Sequence, residues 1–175
     1  MATIHDAATI RPTKAELLAD ELGGPVDVVS SYRFDDPDGE VGVEAFIARQ
    51  GANLQHVVFT YRSAPLGDGR ERLVSQMEHS ELGTRWVYDG TTDPVALECF
   101  RRAILGRQDQ ATLELWQDGR MIGTREPTAT LRAASPQPAD GVTVKVARDL
   151  SEPLTGPGLT VRCGEGEAIV AVLVD

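Results

Sequence analysis

Glu78-His79-Ser80-Glu81 sets an imidazole between carboxylates, the grouping from which a general base or half of a metal site is made. Just beyond it, Arg85-Trp86-Val87-Tyr88-Asp89 and then Asp93 bring together a planar cation, two aromatic rings and two acids. Aromatic faces take the C–H surfaces of sugars while Arg and Asp take their hydroxyls, and protein interfaces use the same composition. Each group also has a plainer reading. No H-E-x-x-H pattern exists, so a zinc site would need ligands from distant parts of the chain, and a loop histidine bonds its own turn. On a strand, Arg85 and Val87 face one way and Trp86 and Tyr88 the other, so the shared aromatic face also reads as core packing. The candidate ligand or partner surface is therefore His79, Glu81, Arg85, Trp86, Tyr88, Asp89 and Asp93. No catalytic residue, cofactor-binding residue or metal ligand is assigned, and no cofactor is expected.

Other patterns carry less chemistry. Asp35-Asp36-Pro37-Asp38-Gly39-Glu40 looks like a calcium loop but lacks the D-x-[DN]-x-[DN]-G-x₅-E spacing, so it reads as a solvated hairpin turn. Gly67-Asp68-Gly69 reads as a plain loop. There is no G-x-x-x-x-G-K-[ST] loop, no nucleophile elbow and no G-x-G-x-x-G following a strand. Cys99 and Cys163 are isolated in sequence, and a disulfide between them is not expected. The 17 Lys and Arg against 27 Asp and Glu leave a net charge of −10. That field repels a phosphate backbone or an anionic bilayer, and no basic cluster offsets it locally. The start of the chain has no signal-peptide pattern and no window approaches the ~18 apolar residues of a membrane span, so a cytoplasmic location is expected.

These residues need elements to hold them. A chain of 175 residues, 41% apolar and 25% charged, suits one domain with or without a small extension. Aromatics are only 5%, so the core must be aliphatic. Pro12 opens an amphipathic helix through Leu17, Leu18 and Leu22, which Gly23-Gly24-Pro25 stops. Three strands follow, Pro25–Arg33, Glu40–Arg49 and Leu54–Arg62, joined by turns at Asp35–Gly39 and Gly51–Asn53. In the second, Val41, Val43, Ala45 and Ile47 make an aliphatic face; in the third, His56, Thr60 and Arg62 mark a polar one. Arg70–Met77 reads as a short helix or an irregular crossing, and Arg85–Tyr88 as a brief strand. Thr92-Asp93-Pro94 starts a second helix running to Leu105, with Val95, Leu97, Phe100, Ala103 and Ile104 as its apolar stripe. Ala111–Trp116 and Met121–Glu126 flank a hairpin turn at Gln117–Arg120. Ala133–Gly141 has linker composition, after which Val142–Val146, Leu159–Arg162 and Ala168–Val174 read as strands, the last buried on both faces and free to complete its own sheet or a neighbour's.

Residues 78–94, with Phe34–Glu44, Thr60–Leu66 and an opening of Ala2–Asp6 followed by Pro12–Leu18, resemble in order and spacing the stand-alone actinobacterial proteins related to the maltokinase N-terminal cap domain. The resemblance spans residues 1–106. It implies an α+β unit, a helix against a curved antiparallel sheet reminiscent of cystatins, set ahead of an aminoglycoside-phosphotransferase-like kinase body without supplying its phosphoryl-transfer residues. Kinases of that class use a His-Gly-Asp loop and a metal-holding acid. Here His5, His56 and His79 are followed by Asp6, Val57 and Ser80, so that loop is absent.

The expected fold class is α+β: a curved, mainly antiparallel sheet with a cystatin-like helix-plus-meander core, two main helices and a strand-rich C-terminal extension. Residues 1–133 are expected to form the cap-like domain and 134–175 an extension packed on the same sheet. The expected function is a non-catalytic accessory or regulatory module in glucan, trehalose or amino-sugar metabolism. Its expected partner is a sugar kinase or glucan-metabolising enzyme, or a second copy of the chain. The alternative is a sugar or sugar-phosphate binding protein with a cleft near His79, Arg85 and Tyr88. A hydrolase using the carboxylates of residues 78–93 is the third reading.

Overall fold

Thr13, not Pro12, opens the first helix. Its side chain accepts the Glu16 N–H at 3.2 Å while the Glu16 carboxylate accepts the Thr13 N–H at 2.7 Å, a reciprocal cap that satisfies two otherwise orphaned donors. The helix, α1 (Lys14–Leu22), buries Leu17 and Leu18 and ends at Gly23, whose φ of 73° is the left-handed conformation a glycine adopts without strain. The computed structural model describes the backbone of residues 2–5 and all of residues 8–67, 69–117, 120–134 and 142–174.

After α1 the chain forms β3 (Asp27–Asp35), β4 (Gly42–Gln50) and β5 (Asn53–Arg62), an antiparallel meander as expected. The first turn is organised by Asp36, whose carboxylate accepts the N–H groups of Asp38, Glu40 and Val41. Arg70–Met77 is not helical: β6 (Leu73–His79) runs antiparallel to β7 (Gly83–Asp89). The segment is too short to sustain a helix alone, and a full cross-strand ladder with β7 decides its conformation. With β2 (Ile10–Arg11) on its edge, the six-stranded sheet has the order β2-β6-β7-β5-β4-β3 and is antiparallel throughout.

Both faces of this sheet are covered. Leu17 and Leu18 of α1 pack on Phe46, Val57, Phe59, Met77 and Val87. The opposite face, with Tyr32, Val43, Ala45, Ile47 and Val58, meets α2 (Pro94–Ile104) through Ala96, Cys99, Phe100, Ala103 and Ile104. The expected polar face of β5 is therefore inside the protein: His56 is 1% exposed and Thr60 0%. Ala96 and Cys99 join the helix stripe, while Val95 and Leu97 lie at its margins.

Beyond α2 packs a second sheet. Strands β10 (Thr130–Ala133), β11 (Thr143–Val146), β12 (Gly158–Cys163) and β13 (Gly166–Val174) form it in the order β10-β12-β13-β11. These C-terminal strands do not extend the six-stranded sheet. Their apolar residues Leu159, Val161, Val170 and Ala171 join the core around α2, so the helix lies between two sheets. Ala168–Val174 pairs inside its own chain, between β12 and β11. The linker at Ala133–Gly141 falls mostly outside the described residues, and Ala133 itself ends β10. A third sheet joins β8 (Leu113–Gln117) and β9 (Arg120–Arg125) as the expected hairpin, with β1 (Ala2–His5) parallel to β8; the turn residues Asp118 and Gly119 lie outside the described residues, as does Asp68 of the Gly67–Gly69 loop. Among the described residues the fold is thus α+β, with two helices and mostly antiparallel, curled sheets.

Gly158 tests how tightly the second sheet is packed. A Cβ there would lie 2.5 Å from the Ala171 carbonyl oxygen and 2.9 Å from side-chain carbons of Ile169 and Val172. The carbonyl is backbone and cannot step aside. We expect Gly158→Ala to lower the urea midpoint by an amount equivalent to about 3 kcal/mol, and an unchanged midpoint would show that the sheet is looser than drawn.

Candidate functional site

His79 ends β6, and its Nδ1 accepts the N–H groups of Glu81 and Leu82, both at 3.2 Å. An N–H only donates, so Nδ1 is the acceptor in both bonds. Glu78 accepts the Thr84 hydroxyl across the same hairpin at 2.8 Å. This histidine closes the β6–β7 turn. The register sets His79 opposite Gly83, at the start of β7, while Asp89 ends that strand. At about 3.4 Å per residue the two ends stand roughly 20 Å apart. The candidate residues therefore split into two groups, His79 with Glu81 at one end and Asp89 with Asp93 at the other.

Between them, strand alternation distributes the rest. Arg85 shares its face with Val87, on the α1 side of the sheet, opposite Met77. Trp86 and Tyr88 share the other face; Trp86 lies half-buried opposite Arg62, and Tyr88 lies opposite Thr60. Tyr88 is only 4% exposed, and its hydroxyl accepts the Leu66 N–H at 2.9 Å. The ring thus holds the 63–67 loop to the sheet.

Asp93 and Asp89 are the best-bonded acids of the set. Asp93 caps α2 by accepting the Val95 N–H at 2.9 Å, and also accepts the Thr60 hydroxyl at 2.7 Å. The Arg62 guanidinium bonds it twice, at 2.8 and 2.7 Å. Burial would raise its pKa, but the bonds from Arg62, Thr60 and the helix terminus outweigh that and hold the carboxyl below its ordinary value. Asp89 accepts the N–H and hydroxyl of Thr91 at 2.9 and 2.7 Å and pairs with Arg72 and Arg148. Its pKa is likewise lowered, with Thr91 and Arg148 overcoming burial. Glu21 of α1 joins both arginines, so the network ties α1, the 69–72 loop, the end of β7 and the C-terminal part together. Carboxylates held ionised with their lone pairs engaged serve as structural fasteners, not as proton donors.

Two further polar centres were hidden in the alternation of β4 and β5. Glu44, 4% exposed, accepts Lys14 Nζ at 2.7 Å, Arg33 Nη2 at 3.2 Å and the Tyr61 hydroxyl at 3.3 Å. Burial pushes this carboxyl up, yet the Arg33 and Lys14 charges bring it below its usual value. His56 bonds the Ala147 carbonyl through Nδ1 at 2.9 Å and the Tyr32 hydroxyl through Nε2 at 2.8 Å. A carbonyl only accepts, so Nδ1 holds the proton and Tyr32 donates to Nε2. Alternating polar residues ordinarily mark a solvated face, so the local pattern carries no signal that His56 and Glu44 are covered.

Cys99 is buried and its thiol is pushed up to about 11 by that burial, an inert core thiol; Cys163 is also free. A cavity of about 80 Å³ lies at the C-terminal end of α2, between Gln108, Asp109, Leu131 and Leu159, and none of the candidate surface residues lines it. Among the described residues no group of three or more His, Cys, Asp or Glu is placed to hold a metal ion, and no helix is long and apolar enough to cross a membrane.

Residues 19–93 match the family model of the maltokinase N-terminal cap domain, so the resemblance holds over that segment. No curated protein and no solved structure matches the chain.

Proposed function

We propose, on the premise that residues 19–93 form a maltokinase N-terminal cap domain, that this chain is a non-catalytic accessory or regulatory module that works by contact with a sugar kinase or an enzyme of glucan, trehalose or amino-sugar metabolism. One observation carries the reading. The matched segment takes in the second half of α1 and all of β3 to β7, and it stops at Asp93, the residue that caps α2. The match therefore follows five consecutive strands of one antiparallel sheet, from the last turn of α1 to the cap of α2. The charged groups of that unit support the same reading, since Glu44, Asp89 and Asp93 are engaged in bonds that hold elements together. Residues 134–175 belong to the same unit here, because their strands β11 to β13 pack on α2 and β12 pairs with β10 of the preceding part. Cystatin likeness and actinobacterial origin belong to this reading as well.

The experiment uses a maltokinase from which its own N-terminal cap has been removed. Mixed with this chain, it is expected to elute as a one-to-one complex in size-exclusion chromatography, while the chain alone consumes no ATP in the presence of maltose or glucose. ATP turnover by the isolated chain would overturn the reading, as would separate elution at micromolar concentrations.

A further inference from the structure

β5 is paired along only part of its outer edge by β7, which covers Phe59 to Arg62. Gly90 adds one more bond, donating its N–H to the Val58 carbonyl at 2.8 Å, and the chain then turns away into α2. The remaining edge, Leu54 to Val57, is filled by residues from far along the chain. The His56 N–H donates to the Arg148 carbonyl at 2.7 Å, the Leu150 N–H donates to the Leu54 carbonyl at 2.9 Å, and Gln55 and Asp149 form an antiparallel bridge. Ala147–Leu150 is thus a strap laid in line with β7. Its side-chain hold is equally local: the His56 ring donates to the Ala147 carbonyl, and Arg148 reaches Asp89, Glu21 and the Thr91 hydroxyl.

Two features set the strap apart from the sheet it completes. Ala147 is buried and donates its N–H to the Val170 carbonyl, and Leu150 packs on the core around α2, but the Arg148 side chain is 54% exposed, so its ion pairs are open to water and salt. What it leaves behind is not neutral. The Asp89 and Glu21 side chains are 4% and 10% exposed, and without Arg148 two buried acids would face the single guanidinium of Arg72. An unpaired strand edge next to a deep acidic corner selects an extended segment with an arginine, whose planar fork satisfies two acceptors at once.

We propose that Ala147–Leu150 is the resident occupant of a strand-addition slot on β5, and that the slot takes in its place an extended segment from another protein with an arginine set beside His56. The strap is then an autoinhibitory contact, and its release breaks the Ala147 bond to Val170 while β5 keeps its full ladder with β4 and β11 its own with β13. The inference stands on the strap's geometry and is independent of the cap reading.

The test uses the full chain carrying Arg148→Ala and a fluorescent peptide with the sequence of residues 144–151. The variant is expected to bind this peptide, measured by anisotropy, at least tenfold more tightly than a peptide whose arginine is replaced by alanine. The parent chain, its slot filled, binds neither, and adding Asp89→Asn to the variant removes the discrimination. Equal binding of both peptides, no binding by the variant, or equal binding by parent and variant overturns the proposal. Hydrogen exchange on the unmodified protein provides a second reading that needs no variant. The Leu150 and His56 amides should exchange at least tenfold faster than amides bonded between β4 and β5, and equal protection sinks the idea.

Discussion

Replacing Asp93 by alanine is expected to cost about 4 kcal/mol of folding stability, the largest single effect in this molecule. The side chain is 0% exposed, and its loss removes four bonds together: the α2 cap, the Thr60 hydroxyl and both arms of Arg62. Arg62, with a side chain 15% exposed, would be left largely buried without its counter-ion. The lost N-cap alone is worth ~1 kcal/mol, and the rest comes from an uncompensated charge in a poorly solvated place. Asp93→Asn keeps one oxygen to accept the helix cap but places an amide NH2 where Thr60 and Arg62 Nε donate, and it gives up the charge, so it should fall between parent and alanine variant. Urea unfolding of the three proteins decides the matter. An alanine variant within about 1 kcal/mol of the parent would mean that Arg62 finds water and the site is more open than it is drawn.

Acid is expected to remove about 3 kcal/mol through His56 alone. Burial lowers its pKa from 6.5 to about 4, with the Ala147 carbonyl opposing that shift. The unfolded chain therefore takes up the proton first as pH falls. The contribution is fully present above the unfolded value, declines as pH drops from 6.5 towards 4, and is gone below it. Asp89, Asp93 and Glu44, whose pKa values are also lowered, act with the same sign but in a more acidic window, as they lose their pairing only when protonated. His56→Gln separates the two contributions, since an amide can donate to Ala147 and accept from Tyr32 without titrating. Unfolding midpoints measured from pH 7 to pH 4 should slope steeply for the parent and much less for the variant. Parallel slopes would show that His56 is not the group being titrated.

Much of the fold could be read from local pattern. The Asp35–Gly39 and Gly51–Asn53 turns, the Gly23 stop and the Asp93 cap all depend on residues adjacent in sequence, where backbone sterics and short side-chain bonds decide the outcome. The three strands of the meander followed directly. What failed was any judgement needing a distant partner. The pattern of β6 reads as a helix or a crossing because its ladder is supplied by β7, and that of β5 reads as having a wet face because nothing nearby announces that α2 and β12–β13 cover it. The candidate surface shows the same limit. Asp89 and Asp93 stand out in the sequence, but Arg62, Arg72 and Arg148, which pair with them, come from other elements.

By itself the sequence determined that this is an acidic α+β chain, without a kinase's catalytic loop, and with a segment matching a kinase cap. The expected aliphatic core instead takes in all four phenylalanines with Tyr32 and Tyr88, because large apolar rings are drawn inside. Only the tertiary structure decided that His79 closes a turn, that α2 is held between two sheets, and that residues 147–150 finish a strand begun elsewhere. The reason is physical. A turn or a cap is settled by atoms a few bonds apart, whereas a buried charge or a completed sheet edge depends on which distant groups arrive to desolvate and pair it.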